Sequence, residues 1–290
     1  KTGISFPKAR AKALDEYFKK YNLNYSLNIN SNNYAKYPSD ITSNSNLDIN
    51  TFINQPNNIL GIEYIKALIR FNSKINPVPL KRLGAGYHSL DTGTKLASAT
   101  GIRTAMANKD NISGLLPDNC LNIIKNHTTI EYNDFSTVLG SKLLSMDTLD
   151  HIEGINQDLS NRIANNKYNF TDIETFIPML QSKNYTYSAI SRALLHIILD
   201  IKTDDIKEFV NNNYAMILGF TKKSGVLSEI SKSTKIPLVS KFATFYKEAD
   251  SNQRKMLDIN LKADNLYRMI YMNKTSETLP TEFQRQIIIK

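Results

Sequence analysis

Three groups of residues between positions 56 and 103 carry side chains suited to holding an anionic ligand. Asn57 and Asn58 follow Pro56, which biases Gln55 towards an extended backbone. They precede Ile62, Ile65, Leu68 and Ile69, which recur at helical spacing with Glu63, Lys66 and Arg70 off that face. The two amides therefore fall where a strand or loop hands over to a helix, and such junctions are where open α/β sheets bind ligands. An Asn amide offers a donor and an acceptor, enough to read a base edge or a ribose. It can equally be a helix cap and nothing more. Arg82 and Leu83 end the short apolar run 77–83, which is compatible with a strand that keeps its prolines at the start or edge. A guanidinium at that position can pair with a phosphate or stack on a base, or can be an ordinary solvated charge. Ser98, Thr100 and Arg103 open a third segment. Ser98 or Thr100 can cap a helix running through Ile102 and Met106, and the free N–H groups of that start plus two hydroxyls make a phosphate site. Arg103 reads as a first-turn cation, disfavoured by the helix dipole unless an anion is near. The plain alternative is a Ser/Thr cap followed by a surface arginine.

The elements that must position these groups are legible in outline. Residues 7–21 read as an amphipathic helix with Ser5 as its cap and Ala13, Leu14, Tyr17 and Phe18 on one side. Residues 22–55 are rich in Asn and Ser and read as a surface excursion, with a short helix near 51–55. Residues 84–93, with Gly84, Gly86 and Gly93, read as a loop containing His88. Beyond Arg103 the chain turns helical. Leu115 to Asp118 reads as one helix ending and another beginning, and helical spacing recurs over 134–144, 155–164, 173–180 and 188–200. The last of these is apolar nearly all round, so it is expected at the centre of a second core, with His196 a satisfied core histidine. Residues 215–220 and 236–239 read as short strands that could pair in parallel, and Leu257, Leu261, Leu266 and Ile270 mark a final long helix.

Composition narrows the class. With 290 residues, 41% hydrophobic and 22% charged, the chain has room for about two globular domains. No apolar run approaches the roughly 20 residues a membrane helix needs. Cys120 is the single cysteine, which excludes an internal disulfide and a cysteine-based metal site. A cytoplasmic home is the expectation. The net charge of +9 is uneven: residues 1–20 carry +4, residues 221–290 carry +6 and the middle carries −1. Positive ends suit a polyanion, though lysine-rich surfaces are also common on soluble proteins.

Ala97-Ser98-Ala99-Thr100-Gly101-Ile102-Arg103 resembles the second signature of the nucleotidyltransferase superfamily that includes class I aminoacyl-tRNA synthetases. Taken with Ser5 to Arg10, Pro56-Asn57-Asn58-Ile59-Leu60-Gly61 and the Lys81-Arg82-Leu83-Gly84…Tyr87-His88 loop, it resembles the bacterial tRNA(Met) cytidine acetate ligases. The similarity continues through Glu153-Gly154-Ile155, Lys183-Asn184-Tyr185-Thr186, Leu218-Gly219-Phe220 and Pro237-Leu238-Val239-Ser240, and so covers essentially the whole chain. The resemblance implies an α/β nucleotidyltransferase-like (Rossmann-type) half-domain followed by a mainly α-helical domain. Residues 1–112 are expected to be the C-terminal part of the ATP-binding domain, and 113–290 a helical, tRNA-facing module. It implies ATP as substrate, with Mg2+, and acetate and tRNA(Met) as partners. Acetyl-adenylate would form first, and the acetyl group would then pass to the wobble cytidine. On this pattern Asn57, Arg82, Leu83, Ser98, Thr100 and Arg103 are the ATP-binding positions. The uneven charge, not the pattern, makes residues 1–20 and Lys222, Lys223, Lys232, Lys235 and Lys262 the candidate tRNA contacts. No protein-held metal is expected.

The family also has an Asn-Pro-Phe-His-x-Gly-His segment, whose histidines stabilise the transferring phosphate. His88, His127, His151 and His196 stand in no such setting, and the catalytic residues are therefore unassigned. The chain reads as a fragment that joins the family pattern well inside it, unable on its own to make acetyl-adenylate. Two other readings account for the same residues: a nucleotidyltransferase with another acceptor, and a non-enzymatic RNA-binding module with a vestigial nucleotide pocket. Ser231-Lys232-Ser233 superficially resembles a synthetase Lys-Met-Ser-Lys-Ser loop, and its place so far after the phosphate segment marks it as coincidence.

Overall fold

The computed structural model describes residues 6–20, 55–80, 97–209, 213–222 and 225–290. The chain divides into two units, Lys1–Asn122 and Ile123–Lys290.

In the first unit α1 spans Phe6–Lys20, close to its expected bounds, while its expected cap Ser5 and the Asn/Ser-rich stretch up to residue 54 lie outside the described residues. Helix α2 spans Pro56–Arg70 and begins on a proline, whose missing N–H costs nothing at that position. Helix α3 spans Ala99–Ala107, with Ser98 as its cap. No strand forms over residues 77–80, contrary to expectation: Pro77 and Pro79 have no N–H to give a ladder, and Val78 and Leu80 stand exposed. Residues 81–83, and the loop that follows with His88, lie outside the described residues. The expected helix end at Leu115 and Leu116 is not one. Helix α3 has already stopped at Ala107, with Lys109 in the left-handed region (φ 61°), and turns lead to α4, Asp118–Asn126. Cys120, half-buried, lies on α4.

The second unit is built around helices whose periodicity was plain. They are α5 (Ser136–Ser145), α6 (Gln157–Asn166), α7 (Ile173–Leu180) and α8 (Tyr187–Leu199), followed by α9 (Thr203–Phe209). Their starts are capped as their sequences demand: Asn156 accepts from the Leu159 N–H, Asp172 from Thr175 and Thr186 from Ala189. Helix α8 is central, packing on α5 and α7, with Ile190, Leu194 and Ile197 essentially inaccessible against Leu139, Phe176 and Ile177. Each such side chain contributes about 1.5–3 kcal/mol of burial. His196 is tied down as expected, its Nδ1 2.7 Å from the Glu153 carbonyl oxygen.

The remaining elements are β1 (Ala215–Met216), β2 (Gly219–Phe220), α10 (Val226–Ser233), β3 (Leu238–Val239), α11 (Phe242–Glu248), α12 (Ser251–Thr275) and β4 (Ile288–Ile289). The run 215–220 is two strands rather than one. β1 pairs in parallel with β3, as its sequence suggested, and β2 pairs in parallel with β4, a partner its sequence did not reveal. A smaller core gathers Phe242, Ala249 and Leu257 with Tyr214, Met216 and Phe245.

Candidate functional site

The start of α3 is the best-formed part of the site. Ser98 has an extended backbone (φ −71°, ψ 154°), is 1% exposed and accepts through Oγ from the Gly101 N–H at 2.9 Å. Its carbonyl takes the first helical bond, from the Ile102 N–H at 2.9 Å. One of the two hydroxyls is thus turned inward as the cap. The N–H groups of Ala99 and Thr100 are left at the open end of the helix. Thr100 and Arg103 are exposed and three residues apart, which sets them on neighbouring positions of one helix face. Arg103 is the fifth helical residue, just past the first turn, so the dipole disfavours it less than its sequence position suggested. No acid occupies the first turn, so no residue of the turn itself offsets the positive end of the helix.

The start of α2 offers a second such end. Neither Asn57 nor Asn58 is its cap. That position belongs to Gln55, which makes no side-chain cap bond, and the two asparagines follow Pro56 inside the first turn. Asn57 is exposed, Asn58 is half-buried and engaged, and no acid stands in the turn. Arg82 and Leu83 lie outside the described residues, so the described part of the candidate ATP site consists of two helix starts. Among the described residues no group of three or more His, Cys, Asp or Glu could hold a metal ion.

The candidate tRNA lysines separate into two kinds. Lys222, Lys232 and Lys235 are exposed, while Lys223 lies outside the described residues. Lys262 has a structural partner, donating from Nζ to the Leu199 carbonyl at 2.7 Å. Burial, with the nearby cations of Lys142 and Lys202, pushes its ammonium below the usual lysine range, against the opposite pull of Asp200.

Ser231, Lys232 and Ser233 belong to α10 and not to a loop, and Ser231 and Ser233 donate back to the Ser228 and Glu229 carbonyls. That is the behaviour of helix serines, in keeping with coincidence. Beside α10 an open cleft of about 490 Å3 is lined by Ile217, Phe220, Leu227, Ser228, Leu238 and Ser240 among others. The sequence offered no signal for it, because its walls come from three separate segments.

Comparison with known proteins bears on the whole chain. Residues 1–282 match the family described as HIGH Nucleotidyl Transferase. A tRNA(Met) cytidine acetate ligase of Thermoanaerobacter sp. (strain X514) is 32% identical over 283 residues, 95% of this chain and 64% of the relative. The protein of the same name from Clostridium acetobutylicum is 32% identical over 296 residues, 99% of this chain and 66% of its own. The chain therefore spans about two thirds of the length of these curated relatives. Two crystal structures of Thermotoga maritima TmcAL, one apo and one bound with alpha-thio ATP, superpose with a TM-score of 0.77 at 23% identity, over 99% of this chain and 67% of theirs. This likeness fixes the fold as the α/β nucleotidyltransferase-like one with a largely helical remainder, even though strands are absent among the described residues of the first unit.

Proposed function

From the fact that this chain belongs to the HIGH nucleotidyl transferase family, we propose that it is the nucleotide-binding and tRNA-facing part of an enzyme that acetylates tRNA(Met) with ATP and acetate. Because the chain spans 64% of the first relative's length, the activity is proposed for the longer protein. Residues 1–112 take the ATP role and 113–290 the tRNA role, in the cytoplasm, where tRNA and ATP meet.

The observation that carries the reading is the α3 start. Ser98 is consumed as cap, and the Ala99 and Thr100 N–H groups, the Thr100 hydroxyl and the Arg103 guanidinium gather at one helix end whose own first turn holds no acid. Phosphate oxygens of ATP suit that end, and the Asn57 amide suits the base or ribose. Arg82 and Leu83 are assigned to the same nucleotide by family pattern. Magnesium is expected to come with the phosphates, since the described residues offer no carboxylate cluster for it.

The chemistry has two steps. An acetate oxygen attacks the α-phosphorus of ATP, forming a P–O bond as the bond to pyrophosphate breaks. The exocyclic amine of the wobble cytidine then attacks the acetyl carbonyl, loses a proton and expels AMP. Helix-end N–H groups and Arg103 would offset charge on the phosphate as pyrophosphate departs. Lys222, Lys232 and Lys235 would meet the tRNA backbone.

The test is the full-length protein with ATP, labelled acetate and tRNA(Met). Acetylated cytidine with release of AMP and pyrophosphate is expected. AMP transfer to another acceptor would replace this reading with that of a different nucleotidyltransferase, and tRNA binding without turnover would replace it with a binding module. The 290-residue chain alone is expected to give no ATP–pyrophosphate exchange.

A further inference from the structure

The cleft beside α10 has uncharged walls inside a strongly basic stretch of chain. Phe220 of β2, Leu227 of α10 and Leu238 of β3 are half-buried apolar walls, and Ser228, Ser231 and Ser240 bring hydroxyls to it. Leu227, Ser228 and Ser231 share one face of α10. Ser231 Oγ gives its proton to the Ser228 carbonyl and so faces a ligand as an acceptor, while the hydroxyls of Ser228 and Ser240 can give or take. None of the described lining residues carries a charge, and the volume of about 490 Å3 is that of a small-ligand pocket. The surrounding chain is different. Residues 213–242 hold five lysines, at 222, 223, 232, 235 and 241, against one acid, Glu229. Lys222 follows Phe220 by two residues, Lys232 adjoins Ser231 and Lys241 adjoins Ser240, and all three are exposed. The Lys222 N–H donates to the Lys290 carbonyl at 3.0 Å, which brings a further exposed lysine beside the strand that carries Phe220.

We propose that this cleft receives one unpaired base of the tRNA. Phe220 is the surface it stacks on, the serines meet its polar edge, and Lys222, Lys232 and Lys241 take the phosphates on either side. The inference rests on the tRNA reading above, and adds to its backbone contacts one that reads a base. Charge selects this occupant. A free phosphate or an acidic peptide would place its negative groups among walls that offer no cation. A second copy of the chain, at +9, would set lysine against lysine. A nucleotide within an RNA strand has the matching shape, an uncharged planar head between two anions.

Filling the cleft without touching a lysine separates base from backbone. Ser228→Leu and Ser231→Leu are exposed helix positions. In the full-length protein each is expected to weaken tRNA(Met) binding about tenfold while the salt slope stays that of the parent. Each unpaired nucleotide of the tRNA is then made abasic in turn. One position is expected to cost the parent about tenfold and to cost the filled variants nothing further. Unchanged affinity in both filled variants would overturn the proposal. So would abasic losses that add to those of the variants at every position, or a salt slope that falls along with affinity, which would trace the loss to the lysines. Binding of free AMP that the filled variants lose while their tRNA affinity stays normal would identify a mononucleotide site in its place. Two filled positions guard against one variant misfolding. A coupled abasic position without acetylation would leave the base pocket standing and the functional reading fallen, and acetylation with no coupled position would do the reverse.

Discussion

The Lys262 ammonium donates to the Leu199 main-chain carbonyl across 2.7 Å, joining α12 to the last turn of α8, 63 residues earlier. A cation there meets the negative end of the central helix and satisfies a carbonyl the helix leaves open. Lys262→Ala is therefore expected to lower stability by about 1 kcal/mol, with tRNA affinity unchanged. Denaturant unfolding and a filter-binding titration check the two halves separately. A normal midpoint with weakened tRNA binding would return Lys262 to the RNA surface.

Asp134 and Lys274 form a long-range ion pair, with Nζ 2.7 Å from Oδ2. Both side chains retain some exposure, so a double-mutant cycle is expected to give a coupling of only about 0.5 kcal/mol, weakened by salt. Burial alone would raise the Asp134 carboxyl. The Glu131 N–H, at 2.7 Å, and Lys274 together outweigh it and hold the group below its usual 3.8. The folded chain thus binds fewer protons than the unfolded one in this window. The contribution is full above 3.8 and is lost as pH falls through the lower folded value. Melting curves taken from neutral pH downward should show Asp134→Asn less acid-sensitive than the parent in that range. Parallel curves would mean that Asp134 adds nothing.

Gly219 sits where β2 meets β4, and a Cβ there would lie 2.7 Å from the Ile288 carbonyl oxygen. Backbone cannot step aside as a flexible side chain can. Gly219→Ala is expected to cost about 1–3 kcal/mol and to loosen the C-terminal strand. Faster hydrogen exchange at the Ile288 and Lys290 N–H groups, which bond the Leu218 and Phe220 carbonyls, would report it.

At the α3 start, cap and ligand groups should separate by variant. Ser98→Ala removes a buried cap and is expected to cost about 1 kcal/mol of stability. Thr100→Ala and Arg103→Gln are exposed and are expected to leave melting unchanged, while weakening ATP binding by the full-length protein about tenfold each. Calorimetric titration with ATP decides. Unaltered affinity in both exposed variants would remove α3 from the nucleotide site.

Charge reversal at Lys222, Lys232 or Lys235 is expected to weaken tRNA binding across all sequences and to lower the salt slope by about one per lysine in contact. Binding measured over a salt series is the check, and an unchanged slope in all three would leave these lysines as plain surface charge.

The helices of the second unit were legible because their information is local. Apolar residues at a 3.6 period, with Asn156, Asp172 and Thr186 at the starts, specify where a helix begins and which face it buries. The parallel pairing of β1 with β3 was legible as two short apolar runs. The ligand-type residues at 57, 82–83 and 98–103 were legible as types in an order, and family likeness then gave that order a meaning.

Other features depended on groups distant in sequence, which no local pattern records. Isoleucines 288 and 289 carried no assignment from sequence, and β2 supplies a ladder for them. Lys262 was one of five candidate tRNA lysines until folding set it against the end of α8, and Ser98 was one of two possible caps until burial turned it inward. Asn57 was a plausible cap until the helix began one residue before it, on Pro56. Sequence alone determined the helical framework and the kinds of side chain on offer, because propensity and capping act within a few residues. Tertiary structure decided which of those side chains were taken up by backbone and which were left exposed, because that depends on burial and on carbonyls supplied from elsewhere in the fold.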